Sequence, residues 1–115
     1  MRRGDLYWTD LIPRSGSKQK GRRPVILVSH NAFTSVPTWQ SVIVVPLTTS
    51  SKARIGPTAI ALSRGAGGLK QDSVALCHQV TTLDRGRLVE RMGQIEKDDL
   101  RRIEAGLIVA LDLEN

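Results

Sequence analysis

The chain has 115 residues, with 17 Lys and Arg against 11 Asp and Glu, a formal net charge of +6 and a sequence pI near 10.3. That length suits one domain, residues 1–115, with a modest core to which self-association would add burial. The single cysteine, Cys77, excludes an intramolecular disulfide and a multi-cysteine metal site. With no apolar run near the ~20 residues of a membrane span and no signal-peptide pattern, a soluble cytoplasmic protein without a membrane partner is expected.

In chain order, Leu6–Leu11 has the aromatic and β-branched content of a first strand, stopped by Pro13. Arg14–Arg22 is a basic loop rich in Gly and Ser, too long for a tight hairpin. Pro24 then biases Arg23 towards an extended conformation and leads into the apolar strand Val25–Ser29. The segment around Pro37 is a connection, and Ser41–Leu47 is a third strand. Ser50–Pro57 forms a second basic loop, and Thr58–Leu62 a fourth strand.

The glycine-rich run Gly65–Lys70 lacks the Lys-Ser/Thr that completes a phosphate loop, and no helix pattern follows it, so it reads as a turn. Ser73–Leu83 is the longest strand candidate. After a turn at Asp84–Arg87, Leu88–Val89 and Arg91–Ile95 read as short closing strands. From Asp98 the period changes: Leu100, Ile103, Leu107, Ala110 and Leu111 fall at helical spacing, with Asp98 and Asp99 in the first turn, where acids suit the helix dipole. Many short strands and one terminal helix predict a mainly β fold, a small curved antiparallel barrel or sandwich with the helix over one edge.

The charge is unevenly spread. Residues 1–83 carry eleven Lys and Arg against three acids, whereas residues 84–115 carry six against eight. A basic strand-rich part most often faces a polyanion, nucleic acid before membrane, because no amphipathic Lys-rich helix accompanies it; a solubilising surface is the blander alternative. Two apolar strands each end in polar chemistry, at Arg23 and at Thr48. If those strands are neighbours, a fixed guanidinium and a hydroxyl converge on one phosphate.

In order along the chain, GDLYWTDL, GSKQKGRRPVILVSHNAF, VIVVPLTTS, QDSVALCHQVTTLDRGRL and GQIEKDDLRRIEAGLIVALDL resemble the MazF/PemK family of toxin endoribonucleases. The resemblance spans nearly the whole chain and implies an SH3-like antiparallel barrel. It also implies a ribonuclease that needs no metal or other cofactor, cuts single-stranded RNA at a short sequence, works as a homodimer and is silenced by a cognate antitoxin. By that resemblance Arg23 matches the family's catalytic arginine and Thr48 its catalytic threonine.

Metal-free RNA cleavage requires an activated 2′-OH, stabilisation of the charge on a pentavalent phosphate, and protonation of the 5′-oxygen. Arg23 suits charge stabilisation and late proton donation, since its fork matches phosphate oxygens and stays protonated; Thr48 suits donation to a non-bridging oxygen. The candidate RNA contacts are Ser17, Lys18, Gln19, Lys20 and Arg22 on the first loop, Lys52 and Arg54 on the second, and His78 and Gln79 further on. The cations would position phosphates, and Gln19 and Gln79 would read base edges. Lysine at position 18 departs from the acidic residue common in the family. Plainer readings stand beside these: Arg23 in a surface ion pair, Thr48 as a turn-capping hydroxyl, His78 as a satisfied structural histidine, and Cys77 as a small buried hydrophobe. A toxin of the same fold that inhibits DNA gyrase, or an RNA-binding barrel without cleavage, are the alternative functions.

Overall fold

A computed structural model of the chain describes residues 1–10 and 21–114. The strands are β1 (Asp5–Asp10), β2 (Arg22–Leu27), β3 (Ser41–Thr48), β4 (Ala59–Leu62), β5 (Ser73–Leu76), β6 (Thr81–Asp84) and β7 (Leu88–Gln94). Helix α1 (Asn31–Thr34) and the longer α2 (Lys97–Leu111) complete the fold. The strands run antiparallel in the order β4-β5-β3-β2-β1-β7, with β6 also on β3.

The centre of the sheet is β3, whose run Val42–Val45 is buried except for Ile43. Residues Val44–Pro46 pair with β2, Ser41–Val44 with β6, and Leu47 and Thr48 with β5. Both faces of such a strand are covered, which explains its near-continuous apolar sequence. On one face Leu6, Ile26, Val45, Leu47, Leu62 and Ile103 form the main core, with α2 laid over it. On the other, Val25, Leu27, Val42 and Val44 pack with Tyr7, Leu83 and Leu88.

The helical periodicity from Asp98 is realised in α2, where Ile103 is fully buried and Leu100, Leu107 and Ala110 pack against the core. Leu111 is instead exposed, because the helix ends there with Asp112 in the left-handed region at φ 54°. Gly106 lets the helix approach closely: a Cβ there would sit 2.7 Å from Cys77 Sγ.

Two strand expectations are corrected. The single strand expected over Ser73–Leu83 breaks at a 3₁₀ turn, Cys77–Gln79, because β5 and β6 address different stretches of β3 and the chain must turn a corner between them. Conversely, the two closing strands expected after Asp84 are the one strand β7. Its pairing with β1 absorbs register shifts between Leu6 and Tyr7 and between Trp8 and Thr9.

Among the described residues β4 and β7 do not pair, so the sheet is not closed by backbone hydrogen bonds. The connection between β4 and β5 spans the gap by packing. Gly68, at φ 85°, places its Cα so close to β7 that a Cβ would lie 2.5 Å from the Met92 carbonyl oxygen, and a Cβ on Gly93 would lie 2.7 Å from the Gly67 oxygen. The glycine run is therefore a contact device, consistent with reading it as a turn. Among the described residues no helix is long and apolar enough to cross a membrane.

Candidate active site

The β2–β3 ladder is in register at Val25 opposite Pro46. Beyond that pair the Arg23 side chain reaches Leu47, and Arg23 and Thr48 line one cleft, so the two polar strand ends do meet. Pro24 has no N–H to offer Leu47. The Arg23 side chain fills that place, its Nε donating to the Leu47 carbonyl oxygen at 2.9 Å. That bond ties the guanidinium to β3 and leaves the four Nη–H donors in its plane for other acceptors. Among the described residues no carboxylate is within ion-pair distance of Arg23, which sets aside the surface ion pair as its explanation there.

Half-buried Thr48 closes β3. Its Oγ1 accepts from the Ser50 N–H at 3.2 Å, so the turn-capping reading holds. Capping and chemistry are compatible here: a hydroxyl has one proton to donate and two lone pairs to accept with. The turn occupies a lone pair, orients the group, and leaves the proton to be given.

Arg23 and Thr48 open onto a cleft of ≈ 570 Å³. Its walls come from five parts of the chain, the first four being Trp8 on β1, Arg22–Pro24 on β2, Leu47–Thr49 at the end of β3, and Leu69–Gln71 with Ser73 around the start of β5. Met92 of β7 completes it. The charged side chains among these are Arg22, Arg23 and Lys70, and none is acidic. Such a cleft selects anions.

Arg22, a candidate RNA contact from the sequence, lies at the edge of the cleft. It is more exposed than Arg23, but it is paired, with Nη1 3.3 Å from Glu90 Oε2 and Nε 3.8 Å from Asp10 Oδ1. Lys52 and Arg54 are exposed on the segment after β3 and do not line the cleft. His78 and Gln79 are likewise exposed and outside it, in the turn between β5 and β6 rather than in the strand expected for them. His78 Nδ1 lies 3.3 Å from Thr58 Oγ1, in keeping with a structural histidine. Ser17, Lys18, Gln19 and Lys20 lie outside the described residues. Cys77 is fully buried, as expected, and burial pushes its thiol up to about 11.

Trp8, Lys70, Gln71 and Met92 are cleft residues that sequence reasoning did not single out as site residues. For Lys70 and Gln71 a signal existed: they directly follow the glycine run, which brings its own flanks against β7. No group of three or more His, Cys, Asp or Glu among the described residues is placed to hold a metal ion.

Relatives of known identity carry the same architecture. Residues 2–111 match the family model described as PemK-like, MazF-like toxin of type II toxin-antitoxin system. The chain is 35% identical over 114 residues to the endoribonuclease MazF of Staphylococcus saprophyticus subsp. saprophyticus, a match covering 98% of this chain and 92% of that protein. Among solved structures, it resembles an endoribonuclease in complex with its cognate antitoxin from Mycobacterial species, with TM-score 0.80 and 27% identity, over 100% of this chain and 98% of that one. It also resembles the Deinococcus radiodurans MazE–MazF structure in form II, with TM-score 0.79 and 26% identity, over 99% and 97% of the two chains. A match over nearly the full length, on a fold whose two polar strand ends meet in an acid-free cleft, places this chain in the MazF/PemK family of type II toxins.

Proposed function

We propose that this protein is an endoribonuclease toxin that cleaves single-stranded RNA at a short sequence without a metal, acts in the cytoplasm as a homodimer, and is neutralised by a cognate antitoxin. The observation that carries the reading is Arg23, tied through Nε to Leu47 beside the Thr48 hydroxyl, in a cleft lined by cations and no acid. The curated relative is named an endoribonuclease, and a structural neighbour is one bound to its antitoxin.

In the reaction the substrate's 2′-oxygen bonds to phosphorus and the bond from phosphorus to the 5′-oxygen breaks. The products are a 2′,3′-cyclic phosphate and a 5′-OH. Arg23, with its Nη donors aimed at non-bridging oxygens, offsets the added charge of the pentavalent phosphate and gives a proton late to the departing oxygen. Thr48 donates to a non-bridging oxygen and helps hold the in-line geometry. Neither group is a base at neutral pH, so the 2′-OH proton passes to solvent water as the 2′-oxygen attacks, and Arg23 regains from water the proton it gives to the 5′-oxygen. No carboxylate or histidine lines the cleft among the described residues, so the rate enhancement rests on charge stabilisation and positioning.

The test is to incubate the purified protein with a long single-stranded RNA in EDTA and map the ends. Discrete cuts that vanish in Arg23→Ala are expected. Intact RNA with folded, antitoxin-free protein would overturn the reading and favour a binding or gyrase-directed toxin.

A further inference from the structure

Building on the ribonuclease reading, we infer that Lys70 is a substrate-binding residue: it holds a phosphate of the RNA beside the scissile one, making the turn after β4 the second wall of the site.

The turn is built as a rigid platform. Gly65 N–H donates to Leu69 O at 2.8 Å, Leu69 N–H to Ala66 O at 2.9 Å, and Gly68 N–H to Gly65 O at 3.3 Å. From outside the turn, Asp72 Oδ1 accepts from the Arg64 N–H at 2.8 Å. Leu69 is 5% exposed and anchored in the main core, and Gly67 and Gly68 are wedged against Leu6 and Met92. The backbone that carries Lys70 is thus held on both sides, while the side chain itself is exposed and lines the cleft with Arg23 and Thr48.

Charge argues for a phosphate. Arg22, the other cation at the cleft edge, is already paired with Asp10 and Glu90. Among the described residues Lys70 has no acidic partner within ion-pair distance, and Asp72, the acid closest to it in sequence, is engaged by Arg64. An ammonium is a compact charge with rotatable donors, suited to a phosphate that needs holding but not the bidentate, fixed approach of the reacting centre. Arg23, oriented by Leu47, has that fixed approach. The two cations thereby divide the work, Arg23 at the reacting phosphate and Lys70 at a neighbour.

The test uses a single-stranded RNA oligomer containing a cleavage site mapped with the native protein. In the Arg23→Ala background, adding Lys70→Ala is expected to weaken binding on the order of threefold at low salt, as for one exposed charge pair. It is also expected to make the log–log salt dependence shallower by about 0.7, the value of one phosphate contact on a single strand. Lys70→Arg restores both, and Lys97→Ala, on α2, changes neither. In the otherwise native protein Lys70→Ala raises KM and leaves kcat within about twofold, the mark of a contact made equally in ground and transition states. If the native protein cuts the oligomer but Lys70→Ala leaves affinity and salt slope unchanged, this inference is overturned and the ribonuclease reading stands. A native protein that neither cuts nor binds RNA overturns both.

Discussion

Arg23 Nε gives Leu47 the hydrogen bond that Pro24 cannot, at 2.9 Å. In the proposed mechanism one side chain thus serves the sheet and the chemistry at once, and its loss should register in both. Arg23→Ala is expected to lower cleavage on the order of 10²-fold or more, as for a lost oxyanion donor. It should also cost about 1 kcal/mol of stability for the lost partner of the Leu47 carbonyl. Single-turnover kinetics and urea denaturation read the two effects separately. Arg23→Lys, which lacks the Nε position, should fail to restore the rate; full activity in that variant would contradict the fork geometry.

Thr48 separates similarly. Thr48→Ser keeps a hydroxyl that accepts from Ser50 and still has a proton to give, so its cleavage rate should stay within about tenfold of native. Thr48→Val keeps the shape and loses the hydroxyl, and should fall on the order of 10²-fold. Equal rates for the two variants would remove Thr48 from the mechanism.

Gly106 permits α2 to lie against Cys77. Gly106→Ala places a methyl 2.7 Å from Cys77 Sγ, and the overpacking should cost about 1–3 kcal/mol, partly offset by alanine's better helix propensity. Adding Cys77→Ala removes the sulfur and should recover part of that loss. Denaturation midpoints of the two single variants and the double variant form the cycle, and strict additivity would argue against the contact.

Burial raises the Cys77 thiol from its ordinary 9.0 to about 11. The folded state thus favours the protonated form. The stability this contributes is complete below pH 9.0 and lost as the pH rises through about 11. Comparing denaturation midpoints at neutral and strongly alkaline pH should show a fall that is smaller in Cys77→Ala. The native thiol should also resist alkylation at pH 8 until denaturant is added.

Much of the fold was legible because most strands are local statements: apolar β-branched runs bounded by Pro, Gly and polar residues. The terminal helix announces itself by period. The break at Cys77–Gln79 was not legible, since Cys77 and Val80 continue the apolar pattern and the turn is imposed by β3 exchanging one partner for another, a non-local event. In the site, the meeting of Arg23 and Thr48 could be anticipated from two strands ending in polar chemistry. Trp8 and Met92 could not, for their convergence depends on the sheet curling until the connection after β4 touches β7.

The cleft draws its walls from Trp8 near the start of the chain to Met92 near its end. Translation delivers those walls one at a time. While a ribosome is still adding β5, the stretch ending in Thr48 lacks the β6 partner that holds its other half, and the Met92 wall does not yet exist. Arg23 and Thr48 can meet as soon as β2 and β3 pair, but the cleft around them is complete only after β7 has followed and brought Met92.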